Sequence, residues 1–192
     1  MGSPSRGSWI ARAVGLAILL SVSPGWAWDY AGHRLVNQLA LSSLPAEFPA
    51  FVQQPAARER IAFLGGEADR WRNAPDLTFR HSNNLDHYLD LDDLVRYRMA
   101  PEQVSPFRYE FAAQLALARA AHPEDFPAID PARNADHTRE WVGFLPWTIA
   151  EHYAKLKSGF ACLHTFEQFG GTPEEIANAR QNLIYVMGVM GH

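Results

Sequence analysis

Apolar positions recur at helical spacing along most of the chain, and the alternation that marks strands is nearly absent. The pattern predicts an all-α, multi-helix globular domain with long loops. Asp29 is placed to cap a first helix running to about Ser43, with Val36, Leu39, Ala40 and Leu44 on its inner side. A second helix is expected over 56–72, with Ile61, Leu64, Ala68 and Trp71 as its apolar stripe. A third covers about 106–121 and a fourth about 147–169, ending at Gly170-Gly171. The stretches 73–104 and 122–145 are rich in Pro, Asn and Asp and read as loops, where function often resides. Thr172 and Glu175 form a capping box around Pro173 and start a last helix. Its end, Tyr185 to Gly191, is apolar around the whole circumference, which predicts burial on all sides. No C-cap follows, so the sequence reads as cut off at His192.

The N-terminus adds a targeting signal. Arg6 and Arg12 are the only charges before Asp29, an apolar run spans Ala13 to Val22, and small residues stand at Gly25 and Ala27. This is the layout of a cleavable secretory signal over 1–27, short for a membrane anchor. Cleavage at Ala27/Trp28 would leave Trp28 first and deliver residues 28–192 to the periplasm or medium. Losing the two arginines takes the formal net charge from −4 to −6. An acidic surface argues against a general nucleic-acid coat protein, though not against an enzyme that grips phosphate through metal ions.

A length of 192 residues suffices for one core without a staple. Cys162 is the one cysteine, so neither an intrachain disulfide nor a Cys-based zinc finger is open to the chain. Any metal must be held by His, Asp, Glu or backbone groups, and Cys162 is expected to be a packed thiol. Four segments offer such groups. His33 shares a helix face with Val36 and Ala40 and points inward, where a lone histidine is either hydrogen-bonded or a ligand. Asp69 and Arg72 share one face three residues apart, as a surface ion pair or as a metal-binding carboxylate beside a phosphate-binding cation. Asn84-Leu85-Asp86-His87-Tyr88-Leu89-Asp90 sets several candidate ligands in a loop. Gly191-His192 puts an imidazole at the end of an apolar helix, where it needs a partner.

In this order the segments resemble the zinc-dependent single-strand nucleases of the S-one/P-one type and their relatives, the bacterial zinc phospholipases C. That family is helical, secreted and built around three zinc ions. Its mature chain begins with Trp, with His five residues on, which Trp28 and His33 match where the signal should end. Ala68, Asp69 and Arg72 match its Ala-Asp segment with a basic residue three on. His87, Tyr88 and Asp90 match its His-aromatic-x-Asp segment. Gly143 to Trp147 resembles a Leu-Pro-Trp element before a central helix, and Gly191-His192 resembles the pair that precedes a Gly-Asp and a Gln-Pro-Leu-His run.

The resemblance implies a secreted, zinc-dependent phosphodiesterase that hydrolyses single-stranded DNA or RNA. The alternative within the family is a phospholipase C acting on phospholipid head groups, and Asp90 favours the nuclease because it can read a base edge. By the same resemblance Asp69, His87 and His192 hold one zinc, Trp28 and His33 hold another, Arg72 stabilises charge on phosphate, and Tyr88 and Asp90 hold a base. No stable protein partner is implied. The bridging Asp and the ligands of the third ion are missing, so the isolated chain is expected to be inactive. A helical fragment with an incomplete metal site is the reading from another class. His81, His122, His137, His152 and His164 match no ligand and are expected on the surface or in packing.

Overall fold

A computed structural model of the chain describes residues 30–192. The expected signal segment, Trp28 and the Asp29 cap lie outside the described residues. The fold is all-α. Among the described residues seven α-helices follow one another: α1 (Tyr30–Ser42), α2 (Pro55–Leu64), α3 (Glu67–Arg72), α4 (Leu77–Leu85), α5 (Arg108–Ala121), α6 (Leu145–Phe169) and α7 (Pro173–Met190). Short 3-10 turns fill much of the chain between them, and the described residues contain no strand.

The helix ends follow local chemistry. Pro55 opens α2, where a missing N–H costs nothing. Asp76 caps α4 by accepting the Phe79 N–H at 2.7 Å. In α7 the capping box is reciprocal: Glu175 N–H donates to Thr172 Oγ1 at 3.2 Å, and Thr172 N–H to Glu175 Oε2 at 2.8 Å.

Several expectations change. The helix expected over 56–72 is two helices, because the chain breaks at Gly65-Gly66 and restarts at Glu67. The stretch 73–104 is not all loop; it contains α4 and a 3-10 turn over Leu91–Tyr97. On α1 the buried positions are Asn37 and Leu41, whereas Leu39 is 61 % exposed and Ala40 is also exposed. A polar residue holds the centre of that face, which a hydrophobic pattern does not anticipate.

The core has three parts. Leu41, Val52, Ala57, Ile61 and Ile184 join α1, α2 and α7. Leu163, Ala179 and Leu183 join α6 to α7, an αα-hairpin closed by Gly170, Gly171 and Thr172. Around Phe111 the third part is aromatic, with Trp147 stacked at 4.5 Å and Phe144 edge-on at 5.9 Å. The end of α7 buries Leu183, Ile184, Gly188 and Val189, but Tyr185 is 44 % exposed. From Val186 to Gly191 every position is buried or partly buried, so the expected burial of this end holds in part, with Tyr185 as the exposed exception. Cys162 is exposed on α6 rather than packed.

Candidate metal centre

The ends of α2 and α7, the first turns of α1 and α3, and the exit of α4 meet at Asp69. Its Oδ2 lies 3.0 Å from His33 Nε2. Its Oδ1 lies 2.8 Å from Arg72 Nε, 3.6 Å from His87 Nε2 and 3.9 Å from His192 Nε2. The ring centroids of His33 and His192 are 4.1 Å apart, and those of His87 and His192 are 4.8 Å apart. Residues spread from 33 to 192 thus present one carboxylate and three imidazoles to a single point. The ligand atoms of His33, Asp69 and His192 all lie within 4.8 Å of one another.

The second nitrogen of two rings is tied to the main chain. His87 Nδ1 donates to Asn83 O at 2.6 Å, and His192 Nδ1 donates to Gly65 O at 2.8 Å. A carbonyl only accepts, so each Nδ1 carries the proton and each neutral ring keeps its lone pair on Nε2. Burial lowers the His87 pKa to about 4, with the Arg72 and His192 charges adding to the effect, and the Asn83 bond and Asp69 opposing it. Burial also lowers that of His192, with the Gly65 bond opposing. Both rings are therefore neutral at pH 7, and the contacts of His87 and His192 with Asp69 are not ion pairs. His87 Nε2 is buried and has no hydrogen-bond partner.

The Arg72 guanidinium takes one oxygen of Asp69 and His33 the other, but the buried Nε2 lone pair of His87 faces the carboxylate with no donor to compensate it. A cation between the rings and Asp69 would satisfy it. The donor set, imidazole nitrogen with one carboxylate, suits zinc. The carbonyl-bonded Nδ1 atoms are the outer support that metal-binding histidines require. Arg72 fixes the carboxylate from the solvent side and is itself 40 % exposed.

The residues expected from the sequence fall into two sets. His33, Asp69, Arg72, His87 and His192 converge. Asp69 also joins the two expected ligand sets, with His33 on one oxygen and His87 and His192 nearer the other. Tyr88 and Asp90 continue from His87 along the loop, held by Asp90 N–H to Val142 O at 2.7 Å and Leu145 N–H to Tyr88 O at 3.0 Å. Gly143, at φ +93°, lets that backbone approach, since a Cβ there would overlap the Tyr88 carbonyl. The Tyr88 side chain is half-buried, and burial raises its pKa. Asp90 is exposed beside Asp92 and Asp93; slight desolvation and then these two charges raise its pKa.

Sequence reasoning passed over the Asn83 and Gly65 carbonyls, which no side-chain pattern announces. It also set His152 apart from the site. A cavity of about 90 Å³ beside the cluster is lined by Trp71, Asn83, His87, Thr148, His152 and His192, among others. Burial lowers the pKa of His152 there. His164 is exposed, His137 pairs with Glu140 at 3.2 Å, and His81 meets Asp136 O at 2.7 Å, as surface and packing roles require. A second group of possible ligands, His122, Glu124 and Asp125, lies outside the centre.

No family model matches this chain, and comparisons with curated proteins and with solved structures find no match either.

Proposed function

We propose that this chain is a zinc-binding unit of phosphodiesterase type, acting on single-stranded nucleic acid. One observation carries the reading: three imidazoles and one carboxylate converge, and two of the rings have their Nε2 lone pairs directed by main-chain carbonyls. Asp69, His87 and His192 would hold the ion, with His33 on the far oxygen of Asp69. Zinc bound there supplies a positive centre that acidifies water and offsets phosphate charge.

The protein groups have definable tasks. Asp69 orients the site and supplies the negative charge that makes a cation favourable. Arg72 spends Nε on Asp69, and its remaining N–H groups are free to take a phosphate oxygen and stabilise charge developing on it. Tyr88 offers an aromatic face for a base and Asp90 an acceptor for a base edge. The sequence holds five of the ligand residues that the resembled family uses for three ions, so metal binding and hydrolysis are separate expectations.

Zinc titration of the purified chain against a chromophoric chelator tests the first, with saturable binding expected and its loss expected in the His87→Ala/His192→Ala double variant. Equal zinc uptake by that variant would refute the site. Incubation of the zinc-loaded protein with a single-stranded oligonucleotide and with phospholipid vesicles tests the second. Release of phosphorylated head groups without strand cleavage would move the assignment to a phospholipase C.

A further inference from the structure

One buried side chain links three of the helices that carry the centre, α1, α2 and α7. Asn37 is 1 % exposed, and its Nδ2 donates to Ile61 O at 2.8 Å and to Gly188 O at 2.9 Å. Both acceptors belong to the last turns of their helices, α2 and α7, where carbonyls have no intrahelical donor. An amide is the group that can give one hydrogen to each. The spacing repeats three times. His33 lies four residues before Asn37 on α1, Gly65 lies four residues after Ile61, and His192 lies four residues after Gly188. On a helix that spacing is one turn along the same face.

The glycines show how close the fit is. A Cβ on Gly191 would overlap Asn37 Oδ1, and one on Gly65 would come within 2.8 Å of Asn37 Nδ2. The backbone at Gly191 is right-handed helical (φ −76°), so the glycine there answers to space rather than to conformation.

We infer that Asn37 is a positioning residue for the metal centre: its amide locks α1, the end of α2 and the end of α7 in the register that brings His33, the Gly65 carbonyl and His192 together. The inference rests on the metal-binding reading above. The amide lies one turn below the ligands and touches no ion. It acts through His192, whose Nδ1 partner Gly65 and whose own helix it holds on two sides.

The test is zinc affinity by chelator competition, with the visible spectrum of the Co²⁺-loaded protein as the readout of ligand geometry. Both are measured where circular dichroism shows the variant folded. Asn37→Ala is expected to weaken zinc binding roughly 10- to 100-fold, as loss of outer support does, and to alter the Co²⁺ bands. Gly191→Ala is expected to weaken binding about tenfold in the natural background and to add little in Asn37→Ala, because the clash is with the Asn37 oxygen. A folded Asn37→Ala that binds zinc within about twofold of the natural chain, with unchanged bands, would overturn the inference and leave the metal site standing. If Asn37→Ala does not fold, Gly191→Ala decides: unchanged affinity overturns the inference, and weakened affinity with altered bands supports it. A natural chain that takes up neither zinc nor Co²⁺ overturns both readings.

Discussion

Among the described residues two groups of histidine and carboxylate bring ligand-type atoms within 4.8 Å of one another, and they differ in what surrounds them. Around Asp69 the rings are largely buried, two are aimed by main-chain carbonyls, and burial keeps both of those neutral. Around Glu124 and Asp125 the groups lie nearer solvent, and Arg98 already bonds both carboxylates, at 3.3 and 3.0 Å. His122 stands 3.5 Å from Glu124. One guanidinium bonds both carboxylates of the more exposed second group, whereas in the first Arg72 takes one oxygen of Asp69 and the buried His87 Nε2 is left without a partner. Proximity of ligand atoms is common on protein surfaces; directed, dry and uncompensated lone pairs are what make a site.

The sharpest way to break this comparison is to remove the central carboxylate. Asp69→Asn should weaken zinc binding by on the order of 100-fold or more, since a ligand counts for at least as much as its outer support. Chelator competition measures it, and an affinity within a few fold of the natural chain would place the ion elsewhere. Substituting His192 by Ala should cost nearly as much, with retained helix content showing that the fold survives.

A smaller effect concerns protons. The His87 pKa is depressed in the folded chain, to about 4 against 6.5 in the unfolded one. Between these values the unfolded chain binds more protons, so this stability is present above pH 6.5 and is lost as the pH falls toward 4. With solvent partly screening the ring, about 1 kcal/mol should go between pH 7 and pH 5 in metal-free protein, a fall of roughly 2–4 °C in Tm. His87→Gln should flatten that dependence; an unchanged slope would mean that another group produces it.

The smallest expected change lies at the second group. Glu124→Gln with Asp125→Asn should leave zinc stoichiometry and affinity within about twofold of the natural chain, because nothing there directs a lone pair at an ion. A lost equivalent of zinc would make the two groups equal and dissolve the contrast.

Much of the fold was legible from pattern. The capping box at Thr172, the αα-hairpin at Gly170-Gly171 and the helices near 108–121 and 145–169 all follow from local signals whose physics acts within a turn or two. The misses have local causes as well. Gly65-Gly66 split an otherwise continuous helical stripe, and α4 hides in a polar stretch that carries its cap at Asp76. Leu39 looked inward because it is apolar, yet the face that turns in is centred on Asn37, whose polarity is satisfied by two carbonyls from elsewhere in the chain. The centre was legible as residues: His33, Asp69, Arg72, His87 and His192 were separable from the other histidines by their neighbours in sequence. Their convergence was not, and neither was the place of His152 on the adjoining cavity wall.

By itself, then, the amino-acid order determined which segments coil, where most helices start and stop, and which side chains carry donors suited to a metal. Tertiary structure alone decided that α1, α2, α3 and α7 end or begin at one place, that a carboxylate stands between imidazoles from residues 33, 87 and 192, and that two of those rings are aimed by carbonyls. The reason is range. Caps and periodicity act over three or four residues, whereas the lone pairs at Asp69 are directed by Gly65 and Asn83, and α1, α2 and α7 are keyed by the buried amide of Asn37.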